Sequence, residues 1–171
     1  MTHSLFTSQY DCTAEIAVAK DDILLLSTAH YNNSSRHIAH KLKEGDYNAI
    51  VTAAYRMAAC LPENCILIPA PGRNGYATQT LKLAKMISRI SGAQVADVLK
   101  GCQRMANYDA KKQGHPLKMD DLGLYLAESI PADKTAVIID NVVDTGTTAF
   151  AAANLIGSCI VLSYAMTGVL S

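Results

Sequence analysis

The segment 135–156 constrains the fold of this chain more than any other stretch, because it joins a strand, a short loop and a helix in that order. Residues 136–139 are apolar and mostly β-branched, which is typical of a buried parallel strand. A loop of acidic, hydroxyl and glycine residues follows, and the largely apolar run at 149–156 favours a helix. The pattern therefore predicts a βα unit.

The loop of this unit has the composition of an anion-binding site. Backbone N–H groups point outward at a helix N-terminus, where the helix dipole adds positive potential. Gly146 allows the backbone to close around an anion. Further donors come from three hydroxyl side chains, those of Thr145, Thr147 and Thr148. The sequence predicts a phosphate-binding loop, and the alternative is a generic strand–loop–helix with incidental threonines.

The rest of the chain alternates strands and helices. We predict strands at 22–27, 65–70, 94–99, 136–140 and 159–166. We predict helices from Ser34 or Ser35 to Leu42 with a stop at Gly45, and at 47–61, 77–91 and 149–156. The helix at 77–91 is expected to bury a stripe of Ala77, Leu81, Ala84, Ile87 and Ile90. The interval 100–117 lacks periodicity, and 119–130 is predicted to be partly helical.

This alternation predicts an α/β fold in one domain, residues 1–171. We expect a doubly wound, mostly parallel sheet of about five strands with helices on both faces. A small hood-like segment and the N-terminal helices would occupy residues 1–60, and the core residues 64–167. In such folds the ligand crevice lies beyond the carboxyl ends of the strands. Asp140 and Asn141, where a predicted strand ends, could there hold the hydroxyls of a sugar.

Composition excludes several classes of protein. Lys plus Arg and Asp plus Glu number 15 each, so no overall field attracts nucleic acid. No apolar run reaches the roughly 18 residues of a membrane span. The N-terminus lacks a basic segment followed by a long apolar one, so no secretory signal is expected. The five cysteines are odd in number and scattered, which fits reduced thiols in the cytoplasm.

Two further polar segments have plain interpretations when taken alone. The loop 70–75 is consistent with an Asn-Gly turn beside a surface arginine, Arg73. The basic interval 100–115 is consistent with a solvated loop. The histidines at 30, 37 and 40 lack partners for a recognised metal-ligand pattern, and neither Cys60 nor Cys65 has a second cysteine pair, so we predict no metal centre from them.

The segment 136–148 resembles the 5-phosphoribosyl-1-pyrophosphate (PRPP) motif of type I phosphoribosyltransferases. Four apolar residues precede two polar ones, and Thr-Gly with two hydroxyl residues follows at the family spacing. One departure is Asn141, which replaces a second acidic residue with a neutral amide. The segment 67–79 is similar to the competence-protein-F branch of that superfamily, although Ala77-Thr78 stands where the branch prefers Asn.

The resemblance implies transfer of the 5-phosphoribosyl group of PRPP to a nitrogen acceptor with release of pyrophosphate, assisted by Mg²⁺, in a cytoplasmic homodimer. It places the ribose at Asp140 and Asn141. It places the 5′-phosphate on Asp144, Thr145, Gly146, Thr147 and Thr148. It places pyrophosphate on a loop that contains Gly72, Arg73, Asn74 and Gly75. It makes the interval after residue 99 a catalytic lid, whose cations would be Lys100 and Arg104.

Asp140 and Asp144 are the predicted catalytic residues. Relatives that act on 6-oxopurines often carry Asp-Thr-Gly, as residues 144–146 do here, so we hypothesise that Asp144 is a general acid/base for a purine-like acceptor. Purine-salvage relatives continue with a C-terminal hood, whereas this sequence stops at Ser171. Its hood is therefore expected from the N-terminal 60 residues, or the acceptor is not a free purine. Its aromatic candidates are Tyr10, Tyr31, Tyr47 and Tyr55.

Two other functions compete with this enzyme. A PRPP- or nucleotide-binding regulatory protein would keep the phosphate loop and lose turnover, and Asn141 favours it. A competence-related role in DNA uptake rests on analogy with the branch alone.

Overall fold

A computed structural model of the chain describes residues 14–20 and 23–167. Its main sheet has six strands in the order β1-β2-β8-β7-β3-β4, all parallel except the edge strand β1. These strands are β1 (Ile16–Lys20), β2 (Ile23–Ser27), β3 (Cys65–Pro69), β4 (Gln94–Val95), β7 (Thr135–Val143) and β8 (Cys159–Met166). A separate two-stranded ribbon pairs β5 (Leu99–Lys100) with β6 (Tyr125–Leu126).

Five helices connect these strands. They are α1 (Asn33–Glu44), α2 (Tyr47–Ala58), α3 (Thr78–Ser91), α4 (Asn107–Lys112) and α5 (Thr147–Ile156). A 3-10 turn spans Asp120–Leu122. No helix in the described ranges is long and apolar enough to cross a membrane.

Helices cover both faces of the sheet. On one face, α1, α2 and α3 pack side chains such as Leu42, Met57 and Ile87 against alternate strand residues. On the other face, α5 packs Ala149 and Ala152, together with parts of the β5–β6 ribbon. This architecture confirms the predicted α/β class with a mostly parallel sheet between two helical layers. The sheet has six strands where about five were predicted, because β1 adds an antiparallel edge strand.

The connections place a crevice between β3 and β7. From β3 the chain passes through α3 to β4, whereas from β7 it passes through α5 to β8 on the opposite side. Since these crossovers run in opposite directions, the loops after β3 and β7 diverge at neighbouring strands. Such a switch point in strand order is where ligands bind in open α/β sheets.

Helix α1 crosses the carboxyl end of the sheet. It begins beside β8, where Tyr31 N–H donates to Met166 O at 2.9 Å. It ends at Gly45, which has a φ of 78° and lies against Gln79 in the first turn of α3. The predicted stop at Gly45 is therefore confirmed. The predicted cap was wrong: Asn32 caps the helix, and its Oδ1 accepts the Ser34 N–H at 3.0 Å.

Several boundaries differ from prediction because pairing with distant segments decides them. The predicted strand 94–99 splits, since β4 pairs with β3 and β5 with β6. In α3, Leu83 is buried rather than Leu81, and Ile90 is 36% exposed. Residues 119–130 form a single 3-10 turn and the strand β6.

Candidate functional site

The phosphate-loop candidate directly follows β7 at the switch point. Gly146 is the N-cap residue of α5 and has a φ of 78°, a left-handed conformation that favours glycine. It carries no side chain that could cap α5, so the first helical amides remain available to a ligand. Thr145 Oγ1 and Thr147 Oγ1 lie 2.8 Å apart in a hydrogen bond, and Thr148 is partly buried. The loop therefore presents amides and hydroxyls around one glycine, as an oxyanion requires.

Asp140 and Asn141 lie within β7 rather than after it, because the strand continues to Val143. The inward alternation of the strand is interrupted here: Ile139 and Val142 both pack on the α1–α3 side. The Asn141 N–H donates to Asp140 Oδ1 at 2.7 Å. Two polar side chains therefore lie in an otherwise apolar strand, close to its carboxyl end.

Burial dominates the electrostatics of Asp140. It raises the pKa of this carboxyl group to about 6, against backbone N–H groups of Asn141 and Val142 and the charges of Lys43 and Arg104, which lower the pKa. Lys43 comes from the last turn of α1 and Arg104 from the segment after β5. Cations from two separate elements therefore offset part of the effect of burial on this carboxylate.

Asn141 has an unusual hydrogen-bonding state. The residue is 8% exposed, and its buried Oδ1 accepts no hydrogen bond from the described part of the chain. A buried carbonyl oxygen without a donor costs free energy, so such groups call for an explanation, and a missing ligand donor is one. An amide oxygen at this position can accept a hydrogen bond from a sugar hydroxyl.

Asp144 is held from two directions. Its Oδ2 forms an ion pair with Lys111 Nζ of α4 at 2.8 Å, with both side chains about half exposed. On the other side, Thr167 Oγ1 donates to the Asp144 carbonyl oxygen at 2.7 Å. The start of the phosphate loop is thereby joined to α4 and to the residue that follows β8.

The loop after β3 forms a tight turn closed by its own backbone. Gly72 N–H donates to Tyr76 O at 2.9 Å, and Gly75 N–H donates to Gly72 O at 3.0 Å. Gly75 adopts a φ of 83°. The Asn74 side chain is used within the turn, since its Oδ1 accepts the Tyr76 N–H at 3.2 Å.

A cleft of about 360 Å³ opens between this turn and the segment 103–109. Its lining includes Arg73 and Asn74 from the turn and Gln103, Arg104 and Met105 from the segment; Asp109 of α4 also lines it. Burial lowers the pKa of Arg104 from its usual value, while the nearby Asp140 raises it, and the group remains a cation. Two guanidinium groups on one cleft create a site suited to an anion with several oxygens.

The structure places the two predicted lid cations differently. Arg104 lines the cleft and approaches Asp140. Lys100 lies in β5, where its Nζ forms an ion pair with Asp97 at 2.7 Å and its side chain is 16% exposed. Lys100 does not line the cleft. The structure thus brings Arg104, Arg73 and Asn74 together and leaves Lys100 outside that group.

Sequence reasoning missed three residues that act on this region. Lys43 influences Asp140, and nothing in the sequence connects a lysine on α1 with the end of β7. Lys111 was seen only as part of a basic run, because its pairing with Asp144 depends on how α4 docks. Thr167 had a usable signal: it directly follows the last strand, and the carboxyl ends of parallel strands meet at one edge.

Metal ligands within the described ranges are sparse. No three His, Cys, Asp or Glu side chains there converge closely enough to hold a metal ion. Asp140 is one carboxylate, beside the unpartnered amide oxygen of Asn141. Mg²⁺ commonly uses one or two carboxylates together with substrate phosphates and water. These two residues therefore fit a magnesium ion that binds together with a phosphorylated ligand, and do not form an all-protein cage.

The histidines, cysteines and tyrosines can now be placed. His30, His37 and His40 are exposed. Cys60, Cys65 and Cys159 are buried, and burial raises the pKa of the Cys159 thiol to about 11. Among the hood candidates, Tyr31 lies under the Arg36 guanidinium at 5.6 Å, whereas Tyr47 and Tyr55 are 67% and 63% exposed on α2. Tyr10 lies outside the described residues.

Comparison with known proteins leaves the family open. No protein-family model matches the chain, and no curated protein matches its sequence. Among 22 structurally similar chains is adenine phosphoribosyltransferase from Leishmania tarentolae, with a TM-score of 0.48 and 11% sequence identity, covering 91% of this chain and 97% of that one. Similarity at this level is too weak to assign a family, a substrate or a partner. Membership of the competence-protein-F branch likewise stays a prediction.

Proposed function

We propose that this chain is a phosphoribosyltransferase, which transfers the 5-phosphoribosyl group of PRPP to a nitrogen acceptor and releases pyrophosphate. One observation carries the proposal. A loop at the start of α5 holds Gly146 in a left-handed conformation between Thr145 and Thr147, whose hydroxyls are hydrogen-bonded to each other. It lies at the switch point, a few residues after the polar pair Asp140-Asn141. An anion-binding helix start next to hydroxyl-binding side chains is what a sugar phosphate requires.

Each end of PRPP has a counterpart in this arrangement. The 5′-phosphate would bind the amides and hydroxyls of 144–148, and the ribose hydroxyls would bind Asp140 and Asn141. The pyrophosphate would lie in the cleft against Arg73 and Arg104, with Asn74 and the backbone of Gly72 and Gly75 at its edge. The two loops follow neighbouring strands, so one extended ligand can reach both.

The chemistry needs positioning and charge stabilisation more than proton transfer. As the bond to pyrophosphate breaks, positive charge develops on the sugar and negative charge on the leaving group. Asp140 lies on the sugar side, where its carboxylate would stabilise the cation. Arg73 and Arg104 lie on the other side, where they would neutralise the pyrophosphate. Asn141 supplies a hydrogen bond without charge, so Asp140 has to act alone.

Magnesium belongs to the same proposal. Asp140 and the free Asn141 oxygen would hold it together with oxygens of the ribose and pyrophosphate, and its charge would assist departure of the leaving group. We further propose a cytoplasmic homodimer of single-domain chains. The acceptor hood would come from within the N-terminal 60 residues, whose strands and helices also form part of the core.

Asp144 would serve the acceptor. In the free chain its carboxylate is neutralised by Lys111, which lies on α4 beside the cleft. A bound 5′-phosphate would compete for that lysine and free Asp144 to exchange a proton with a purine-like base. Unchanged turnover of the Asp144→Asn variant would refute this role, whereas a large fall in kcat with intact PRPP binding would support it.

The decisive experiment has two stages. PRPP with Mg²⁺ is first titrated into the protein by calorimetry, and we expect saturable binding. Pyrophosphate release is then measured across a panel of purine, pyrimidine and other nitrogen acceptors. Release with at least one acceptor supports the transferase, and absence of PRPP binding refutes it.

The second candidate is a PRPP- or nucleotide-binding regulatory protein, and Asn141 favours it. Loss of the second carboxylate removes negative charge from the sugar side while keeping a hydrogen-bonding group. This candidate predicts tight PRPP binding with no pyrophosphate release from any acceptor. The Asn141→Asp variant separates the two: gain of release in that variant alone would identify a binding protein derived from an enzyme.

A further inference from the structure

Three glycines lie close together beside the cleft. There the loop after β3, the segment after β5 and the loop before β6 pack against one another. At Gly75 the space that a Cβ would need is filled by the carbonyl group of Gly101. A Cβ on Gly101 would lie 2.9 Å from the Leu122 carbonyl oxygen. A Cβ on Gly123 would lie 3.0 Å from Cys102 Sγ. We call Gly75, Gly101 and Gly123 the glycine junction, since side chains at these positions would force the loops apart.

Backbone hydrogen bonds fasten the segment after β5 to its neighbours at this junction. Gly101 N–H donates to Gly75 O at 3.0 Å, and Arg104 N–H donates to Arg73 O at 2.8 Å. Cys102 N–H donates to a backbone carbonyl oxygen of the loop before β6 at 3.0 Å. These bonds attach residues 101–104, the first part of the lid that the resemblance implies, to two other loops.

This attachment determines where two cations lie. Arg73 and Arg104 are joined through their backbones, and both line the same cleft. Arg104 is partly buried there, so it loses less conformational freedom on binding than an exposed arginine would. Asp109 also lines the cleft, and its negative charge disfavours a bound anion. The placement of both guanidinium groups is therefore more important.

We propose that Gly75 and Gly101 are positioning residues, which hold Arg104 next to Arg73 as a fixed wall and so preform a diphosphate site before any ligand arrives. The inference rests on the proposed function for the identity of this ligand as the pyrophosphate of PRPP. The close contact of the loops and the hydrogen bonds between them do not depend on that identity.

The unmodified protein tests the fixed wall directly. Amide hydrogen exchange in the free chain should show the N–H groups of Gly101 and Arg104 protected to an extent comparable with amides of the β3–β7 ladder. A mobile lid would leave both amides exchanging as fast as those of an exposed loop, and that result would overturn the proposal.

Ligand binding tests the positioning role. Gly101→Ala should weaken binding of inorganic pyrophosphate by about tenfold or more, because Arg104 moves, while binding of ribose 5-phosphate at 144–148 changes less than about twofold. Equal loss for both ligands would indicate general damage and would overturn the proposal, as would unchanged pyrophosphate binding. Arg104→Gln should reproduce the selective loss, and adding Gly101→Ala to it should cost little more.

Strain and loop contact can be separated with a matched pair. Gly75 and Gly92 have φ values of 83° and 78°, but a Cβ on Gly92 would meet nothing within 4 Å. Both alanine variants bear left-handed strain, and only Gly75→Ala should weaken pyrophosphate binding. Selective loss in Gly75→Ala and Gly101→Ala without turnover of PRPP would refute the transferase and keep this inference. Failure of the wild-type protein to bind pyrophosphate would refute the inference itself.

Discussion

Asp140 is partly buried, whereas the function that we propose for it needs its charge. Its folded-state pKa of about 6 exceeds the ordinary value of 3.8, mainly because burial disfavours the carboxylate. The folded chain therefore binds a proton more tightly than the unfolded chain, and stability falls as pH rises between these two values. Arg104 and Lys43 offset part of this cost, and a carboxyl group with so strongly raised a pKa is a candidate functional residue.

The Asp140→Asn variant should therefore be more stable than the wild type above about pH 7, by on the order of 2 kcal/mol. Its amide oxygen still accepts the Asn141 N–H, and no charge is buried. The difference should vanish below about pH 4, where the wild-type carboxyl is protonated. Urea unfolding at both pH values measures it, with exposed Asp133→Asn as control. A less stable variant at high pH would contradict the assigned burial.

For Asn141 we expect substitution to change the free energy of unfolding little and to weaken ligand binding. Its Oδ1 has no protein donor in the described ranges, so replacing the side chain with leucine of similar size removes no hydrogen bond to that oxygen. We expect Asn141→Leu to unfold within about 1 kcal/mol of the wild type. Affinity for ribose 5-phosphate should fall about tenfold, as expected for one lost hydrogen bond in a site from which water is excluded. Calorimetric titration and urea unfolding measure the two quantities, and strong destabilisation with unchanged affinity would make Asn141 structural.

Among the elements, α1 has the clearest start. Asn32 Oδ1 accepts the N–H groups of Ser34 and Ser35 at 3.0 and 3.2 Å, and Ser35 Oγ accepts the Asn32 N–H at 3.0 Å. This reciprocal arrangement is a capping box. Helix α1 crosses the carboxyl end of the sheet and carries Lys43 near Asp140. The cap at its start therefore also helps to position this lysine.

Asn32→Ala should lower the free energy of unfolding by about 1 kcal/mol, the usual cost of losing such a cap. The neighbouring Asn33→Ala is the matched control, since Asn33 is exposed in the first helical position and should change stability by less than about 0.5 kcal/mol. Thermal or urea unfolding compares the two. Equal effects of both variants would show that the cap contributes nothing specific.

Elements with strong local patterns were predictable, and elements defined by distant partners were not. Strand β8 matches its predicted range, because its buried residues leave no other interpretation of an apolar run. The split of 94–99 required knowledge that β4 pairs with Leu67 while Leu99 pairs with Leu126. Likewise, the positions of the two candidate loops were predictable from the strand ends, but the docking of Arg104 on Arg73 depends on backbone contacts that no sequence pattern encodes.

At the scale of the whole molecule, the sheet holds the two loops that we propose to bind anions at a fixed separation. They follow β3 and β7, adjacent parallel strands whose register pairs Pro69 with Ile139. One loop offers the helix start at Gly146, and the other offers the cleft at Arg73. If these are separate subsites of one ligand, their fragments should bind at the same time.

Ribose 5-phosphate and inorganic pyrophosphate should therefore stabilise the protein additively. Each at 100 times its dissociation constant should raise the free energy of unfolding by about 2.7 kcal/mol, and both together by roughly twice that. Urea unfolding with each ligand singly and with the pair provides the comparison, with sodium chloride at matched ionic strength as control for general screening. If the second ligand adds nothing, the two compete for one subsite. The separation imposed by β3 and β7 then could not be what divides the sugar phosphate from its leaving group.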